Sequence, residues 1–225
     1  MDRSSQPRPG TVVVVAGGDA PDPSVLDHPS IVGDILVIGA DSGVGHALGL
    51  GLRVDIAVGD FDSIAAADLE RVRAAGVDLR THPVDKDATD LELALDIALS
   101  TGAERIVMIG GHGGRLDHLL GNAMVLAAPR YAGARLTALM GPAVVTVVHP
   151  GPDLELSGRT GESLTLLAVH GPVTGLHLDG AVWSLADATL APGSSLGVSN
   201  RLAGPIVRVR IASGTLLLIQ PGDHP

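Results

Sequence analysis

The stretch VDIAVGDFDS, residues 54–63, is the part of the chain that decides the fold. An aliphatic run opens it and a helical pattern over residues 64–75 follows, so its acidic residues lie where a strand ends. In extended backbone Asp60 and Asp62 point to one side, while Phe61 points the other way. Two such carboxylates suit a divalent cation such as Mg²⁺ that is shared with substrate phosphates. The alternative is a polar turn that merely caps the next helix.

The same alternation of strand, loop and helix runs from residue 11 to about residue 140. The predicted strands are short aliphatic runs, several without period-2 alternation, which is typical of strands covered on both faces. They are residues 11–16, 35–39, 54–58, 78–81, 105–109 and 135–139, and helices are predicted near 43–49, 65–75, 90–101 and 116–127. This pattern predicts an α/β domain over residues 11–148, with a mostly parallel, Rossmann-like open sheet and flanking helices.

A second domain is predicted over residues 152–225, after a linker that reads HPGP at 149–152. This part is rich in β-branched residues and turns and has no convincing helix, which predicts a small antiparallel β-sandwich. Its strands are predicted at 162–169, 181–185, 206–212 and 215–220, with Ser213-Gly214 as a hairpin turn between the last two. Residues 1–10 are polar and are predicted to form a disordered tail.

Composition excludes several classes of protein. The net charge of −10 and the 1% aromatic content oppose nucleic-acid binding through phosphates or stacked bases. The absence of Cys excludes disulfides, zinc–thiolate sites and thiol catalysis. No apolar stretch approaches the length of a membrane span, and the run after residue 11 is too short for a signal-peptide core. We therefore expect a soluble cytoplasmic protein without nucleic-acid or membrane partners.

Acidic residues also follow the second and fourth predicted strands. Asp41 could cap the next helix or accept a hydrogen bond from a ligand. In PVDKDATDLE, residues 83–92, Thr89 and Glu92 have the spacing of a capping box. That spacing leaves a group of charged residues unexplained: Asp85, Lys86, Asp87 and Asp90. A solvated loop is the simpler interpretation, but carboxylates gathered at one sheet edge repel one another unless a cation holds them, and a lysine there can meet phosphate.

The run GGHGGRLDH, residues 110–118, follows the fifth predicted strand. Its four glycines allow a phosphate to approach backbone N–H groups at a helix start. Arg115 can clamp a phosphate, Asp117 can hold that arginine or a ligand, and His118 is a secondary candidate base. A metal beside phosphate-binding groups, without a covalent protein nucleophile, indicates phosphoryl or pyrophosphoryl transfer. The chain has no Walker motif, so it is not a P-loop enzyme.

Three motifs together resemble the thiamine pyrophosphokinase (thiamine diphosphokinase) family. They are GDFDS at 59–63, KDATD at 86–90 and GGRLDH at 113–118, and their order and spacing agree with that family. GAVWSL at 180–185 and GVSN at 197–200 look like its thiamine-binding segments. The resemblance implies transfer of a diphosphate from ATP to the hydroxyl of thiamine, with release of AMP and with Mg²⁺ bridging the phosphates.

The resemblance also implies roles for individual residues. Asp60, Asp62 and Asp90 would hold the metal and carry the catalysis. Candidate nucleotide-binding residues of the same cleft are Asp41, Ser63, Lys86, Asp87, Thr89, Gly113, Gly114, Arg115 and Asp117. The family is a homodimer that holds thiamine between one subunit's α/β domain and the other's sandwich. Candidate thiamine contacts are therefore Trp183, Ser199 and Asn200. The alternatives are a core position for the tryptophan and an ordinary turn at 199–200.

The sequence departs from the family pattern at two positions. Arg201 stands where an acidic residue is usual, and Ser42 replaces a usual glycine. Two other functions stay open: a diphosphokinase for another alcohol, such as a hydroxymethylpterin, and a non-catalytic thiamine- or nucleotide-binding regulator. The second domain discriminates between acceptors, and the retention of every acidic metal candidate argues against the regulator.

Overall fold

The computed structural model describes residues 9–83, 85 and 87–222, and its contacts divide the chain into two units. One unit comprises residues 1–122 and 133–141, and the other comprises residues 123–132 and 142–225. The predicted domain boundaries at residues 148 and 152 stay a prediction. Residues 1–8 of the predicted tail and Lys86 lie outside the described residues.

Among the described residues of the first unit, six strands pair in parallel. They are β1 (Thr11–Val15), β2 (Ile35–Ala40), β3 (Ile56–Gly59), β4 (Asp78–Thr81), β5 (Arg105–Ile109) and β6 (Arg135–Met140). Their order is β4-β3-β2-β1-β5-β6. The chain adds strands on one side of β1 up to β4 and then continues on its other side with β5. The loops after β1 and β5 therefore flank the crevice where open α/β sheets bind their ligands.

The central strand explains why the sequence shows no period-2 alternation. Residues 12–15 of β1 are fully buried, and Val13 pairs with Val37 on one side and with Val107 on the other. Because both faces of β1 are covered, every position favours an aliphatic residue. The prediction of a mostly parallel sheet is confirmed.

In the part of the chain that the structure describes, four α-helices alternate with these strands. They are α1 (Gly43–Gly49), α2 (Ala66–Ala74), α3 (Asp90–Ser100) and α4 (Leu116–Leu126), and short 3₁₀ turns lie at Pro23–Asp27 and Pro129–Tyr131. Helix α3 begins as predicted, because the Thr89 hydroxyl accepts a hydrogen bond from the Glu92 backbone N–H at 3.2 Å. Within the described part of the chain, no helix combines the length and apolar character that a membrane crossing requires.

The strands of the second unit are antiparallel, as predicted. They are β7 (Ala143–Val148), β8 (Leu154–Ser157), β9 (Ser163–Asp179), β10 (Leu185–Leu190), β11 (Asn200–Arg201), β12 (Ile206–Arg210) and β13 (Ser213–Gln220). Alternate residues of β9, β12 and β13 point into one core, for example Leu166, Val209 and Leu218. Strand β7 belongs to this second unit by its contacts, although the predicted α/β domain extends to residue 148.

The predicted hairpin at Ser213-Gly214 is wrong. Both residues belong to β13, and in the described chain β12 and β13 do not pair with each other. Each pairs instead with β9, which changes direction at His170 (φ 60°) and Gly171 (φ 142°). Strand β13 pairs with residues 165–169 and 174 of β9, and β12 pairs with residues 177–179.

The strand predicted at residues 181–185 is also wrong. Among these described residues, Ala181 forms an isolated bridge to Leu202, and Leu185 opens β10. The sequence pattern did not predict strands β7, β8 and β10. Their apolar residues lie next to Pro, Gly or Asp residues, which favour turns.

Candidate active site

Three carboxylates meet at the carboxyl ends of β2 and β3. Asp41 follows β2, while Asp60 and Asp62 follow β3. One oxygen from each of the three lies within 4.8 Å of the others. The Asp41 backbone N–H donates to the Val58 carbonyl at 2.8 Å, which ties the loop after β2 to the adjacent strand. Asp41 adopts a φ of 48°, an uncommon conformation for a residue with a side chain.

Asp60 and Asp62 converge through a tight turn, not through strand alternation as expected. Strand β3 ends at Gly59, and Phe61 adopts a φ of 61°. The Asp62 backbone N–H donates to Asp60 Oδ1 at 3.1 Å, and the Ser63 hydroxyl donates to Asp62 Oδ1 at 2.8 Å. A left-handed conformation is costly for an aromatic residue, and such conformations concentrate at functional sites.

Asp41 has the environment of a cation ligand. The N-cap of α1 is Ser42, so the predicted capping role of Asp41 is wrong. Asp41 Oδ1 is buried and has no hydrogen-bond partner among the described residues. Burial raises the pKa of Asp41, and the nearby carboxylates of Asp90 and Asp60 raise it further, while hydrogen bonds from Ser42 and Ser63 lower it. A divalent cation would satisfy this oxygen and remove the repulsion, so the residues present fit Mg²⁺.

Asp90 lies close to this group without being one of the three. It is the first residue of α3, and its charge reaches Asp41. The sequence grouped Asp90 with Asp60 and Asp62 and placed Asp41 among the nucleotide-binding residues. Asp87 is exposed before the same helix, and the hydroxyl of Thr89 caps that helix.

The glycine-rich loop after β5 is fastened to the loop after β1. The Gly111 N–H donates to the Gly17 carbonyl at 2.8 Å, and the Asp19 N–H donates to the His112 carbonyl at 2.8 Å. Asn122, on α4, donates to the Gly111 carbonyl at 2.9 Å. The motifs did not point to Asn122, although an amide on the helix that follows a glycine-rich loop is a usable signal.

Positive φ angles make glycine necessary in this loop. Gly110, Gly111, Gly113 and Gly114 have φ between 60° and 89°. A Cβ at Gly113 would overlap the Asp19 carboxylate, which would have to move aside, and the φ of 85° strains any residue with a side chain at this position. The absence of side chains at these four positions leaves the backbone N–H groups of the loop without a covering Cβ.

Arg115 and Asp117 form an ion pair beside the loop. The guanidinium contacts Asp117 at 2.5 Å through Nη2 and at 3.2 Å through Nε. The hydrogen bond from Arg115 lowers the pKa of Asp117 to about 2. Both side chains are exposed, so the pair adds little stability, and it orients the guanidinium at the mouth of the loop. His118, the secondary candidate, is also exposed.

The predicted thiamine residues lie close together in the second unit. Trp183 is 59% exposed, so it is not a core residue of this unit. Asn200 is buried, and its side chain bonds to the backbone of Trp183. Ser199 is exposed with a φ of 61°, and its N–H donates to Thr165 Oγ1 at 3.1 Å.

Carboxylates and a glycine-rich loop at the carboxyl edge of a parallel sheet are typical of α/β proteins that bind phosphates with a divalent cation. A comparison of the chain with models of known protein families identifies a family within this class of proteins. The model of the thiamin pyrophosphokinase catalytic domain matches residues 31–138, and that of the thiamin pyrophosphokinase vitamin B1 binding domain matches residues 153–216.

Individual relatives agree with the family models. Thiamine pyrophosphokinase of Bacillus subtilis (strain 168) is 30% identical over 215 residues, which are 95% of this chain and 99% of that protein. A crystal structure of thiamine pyrophosphokinase from Bacillus subtilis matches with a TM-score of 0.82 and 27% identity, over 95% of this chain and 100% of that one. A crystal structure of thiamin pyrophosphokinase from Geobacillus thermodenitrificans matches with a TM-score of 0.79 and 29% identity, over 95% of this chain and 98% of that one. The chain belongs to the thiamine pyrophosphokinase family.

Proposed function

We propose that this protein transfers a diphosphate group from ATP to the hydroxyl of thiamine and yields thiamine diphosphate and AMP. The observation that carries the proposal is the group of Asp41, Asp60 and Asp62, whose oxygens lie within 4.8 Å at the carboxyl edge of the parallel sheet. Membership of the thiamine pyrophosphokinase family supplies the acceptor and the donor.

The acidic group is the proposed metal site. Asp41, Asp60 and Asp62 would hold Mg²⁺, and Asp90 adds a fourth carboxylate beside them. When bound, Mg²⁺ offsets negative charge on the phosphate oxygens. The Ser63 hydroxyl orients the Asp62 carboxylate, and the Asp62 backbone N–H orients the Asp60 carboxylate, before any ligand arrives.

The loop after β5 is the proposed phosphate site. Backbone N–H groups at Gly113 and Gly114 can donate to phosphate oxygens, and Arg115 can add a charge-assisted bond from the side. Asp117 positions that guanidinium. Asp87 and Thr89 line the proposed nucleotide cleft, and Lys86, outside the described residues, stays a predicted phosphate contact.

The chemical step needs no covalent protein intermediate. The thiamine hydroxyl oxygen releases its proton and forms a bond to the β-phosphorus of ATP. The bond from that phosphorus to the oxygen bridging the α-phosphate breaks, so that AMP leaves with that oxygen. The chain contributes position and electrostatic stabilisation, which are the main sources of rate in such transfers.

Thiamine binding is assigned to the segments that carry Trp183 and Ser199, at the interface of a homodimer, with the buried Asn200 beside them. What supports this assignment is the exposure of large apolar side chains on the second unit, which is typical of an interface; they are Val182, Trp183, Leu196 and Val198. Light scattering on the purified protein tests the dimer, and a mass of one chain would contradict it.

A product assay tests the function directly. Purified protein is incubated with ATP, Mg²⁺ and thiamine, and AMP and thiamine diphosphate are separated by chromatography. We expect equal amounts of the two products and no AMP without thiamine. AMP that forms only with another alcohol would keep the site and discard thiamine, and ADP would mean attack at the γ-phosphorus and would refute the proposal.

A further inference from the structure

The family resemblance implied that Asn200 contacts thiamine, but its side chain is buried and bonds to the backbone of Trp183. We infer that Asn200 is a positioning residue, whose buried side-chain amide holds the backbone of Trp183 so that the indole stays exposed to the ligand. The link to thiamine rests on the proposed function, whereas the contact between the two residues does not.

Two hydrogen bonds join the Asn200 amide to one residue. The Trp183 backbone N–H donates to Asn200 Oδ1 at 3.2 Å, and Asn200 Nδ2 donates to the Trp183 carbonyl at 2.8 Å. This is the pair of bonds that a neighbouring strand residue makes in an antiparallel ladder. A side chain has taken the place of backbone, which explains why the apolar run at 181–185 forms no regular strand.

The same segment is fastened by backbone before it reaches Trp183. The Ala203 N–H donates to the Gly180 carbonyl at 2.8 Å, and the Val182 N–H donates to the Arg201 carbonyl at 2.8 Å. The Asn200 amide continues this series at the next position along the segment. Trp183 is therefore held at both its N–H and its carbonyl.

The oxygen of the Asn200 amide has no capacity left for a ligand, and its Nδ2 group keeps one N–H that is not used by Trp183. Its Oδ1 also accepts from the Arg201 N–H at 2.8 Å, so both lone pairs of this oxygen are used. Asn200 is only 5% exposed, whereas Trp183 is 59% exposed. The ligand-facing group is thus the indole, and the amide acts through it.

A fixed backbone favours binding because it reduces the flexibility that a ligand would have to remove. A large exposed side chain on a mobile loop loses rotational freedom on binding, and preorganisation avoids that loss. The cost of removing the amide should therefore fall on thiamine affinity, not on the transfer step or on ATP.

Two substitutions remove the amide in different ways. Asn200→Asp keeps the shape and the acceptor but cannot donate to the Trp183 carbonyl, and Asn200→Leu removes both bonds. Ser184→Ala is the matched control, because the Ser184 hydroxyl bonds to the Ala181 carbonyl at 3.1 Å on the same segment without contacting the backbone of Trp183. Thermal midpoints report whether each variant folds.

Kinetics separate positioning from a general structural defect. In Asn200→Asp we expect the KM for thiamine to rise about tenfold, which corresponds to the loss of about one hydrogen bond, with kcat and the KM for ATP within about twofold of wild type. In a Trp183→Ala background the same substitution should change the KM for thiamine by less than about twofold, because the amide acts through the indole. An undiminished effect in that background would overturn the inference.

The fluorescence of Trp183, the sole tryptophan, tests the contact without any ligand. Asn200→Asp and Asn200→Leu should lower its anisotropy, and Ser184→Ala should not. Hydrogen exchange of the Trp183 amide in the wild-type chain is a measurement that no folding failure can obscure, and we expect protection. Fast exchange of that amide would overturn the inference even if the product assay succeeds. If the wild-type chain makes no thiamine diphosphate but the amide is protected, the proposed function fails and the positioning contact stands.

Discussion

Removing the charge of Asp41 should stabilise the metal-free protein. In Asp41→Asn the buried carboxylate becomes a neutral amide of nearly the same shape, so the change acts on charge with little effect on packing. Asp41 takes part in two of the three repulsive pairs of the acidic group, whose oxygens lie within 4.8 Å. At that separation one pair repels by about 1 kcal/mol in water and by about 3.5 kcal/mol at an effective dielectric constant of about 20.

The partial exposure of the group keeps the repulsion near the lower value. Asp62 is exposed and Asp41 half-buried, so solvent screens the pairs, and we expect a gain of about 2 kcal/mol in the free energy of unfolding, about 1 kcal/mol per pair. Mg²⁺ should reduce the difference in stability between the variant and wild type. A ligand at a hundredfold excess over its Kd stabilises by about 2.7 kcal/mol, and the variant, with a neutral ligand in place of a charged one, should gain less than wild type.

Urea unfolding, followed by helical circular dichroism, measures both effects. The signal reports on the first unit, which holds α1 to α3. Titrations in EDTA at low ionic strength are compared with titrations in Mg²⁺. Asp34→Asn, at an exposed carboxylate before β2, is the control for net charge. Equal stabilisation by Asp34→Asn would refute the local repulsion, and an equal response of wild type and Asp41→Asn to Mg²⁺ would refute Asp41 as a ligand.

The same carboxylate sets a pH dependence. Because burial raises the pKa of Asp41, the folded chain binds a proton more readily than the unfolded chain. Without metal, the free energy of unfolding therefore falls as pH rises from the ordinary carboxyl pKa through the raised value. Asp41→Asn should lack this part of the slope.

Three further predictions concern the site. Asp62→Asn should abolish thiamine-dependent AMP formation with an unchanged circular dichroism spectrum; retained turnover would contradict the metal assignment. Gly113→Ala should raise the KM for ATP at least about tenfold, because its Cβ overlaps Asp19, whereas Gly133→Ala, in open space, should not; steady-state kinetics decide. Asp117→Asn should lower kcat/KM at every pH without moving the acid limb, since the pKa of Asp117 is about 2; a moved limb would assign that limb to Asp117.

The first unit could be predicted closely because its signals are local. Strands β4 and β5 have the predicted bounds, and helix α3 begins at its predicted cap. Buried aliphatic runs, separated by caps and glycines, fix the elements without knowledge of their partners.

The second unit could not be predicted as well because its pairings are distant in sequence. The Ser213-Gly214 signal is a genuine backbone feature, since Gly214 has a φ of 90°. It does not produce a hairpin, because the long strand β9 offers a separate segment to each of β12 and β13. Local composition does not specify such a choice of partner.

The site was predicted in part. Topology alone brings the strand-end carboxylates to one edge, and the sequence pattern identified that edge. The grouping of Asp41 with Asp60 and Asp62 depends instead on left-handed backbone at Asp41 and Phe61. Residue identity gives no signal for that conformation at an aromatic position, and the assignment of Asp90 to the metal, which the family resemblance implied, stays a prediction.

The pairings of β9 have a consequence for synthesis on the ribosome. Its partners β10, β11, β12 and β13 all emerge after it, and β13 also pairs with β7. The second unit therefore cannot close until residue 220 has left the exit tunnel, whereas β1 to β5 can assemble well before. During that interval the 17 residues of β9 lack the strands with which they pair, so their backbone N–H and C=O groups can pair with other chains and promote aggregation.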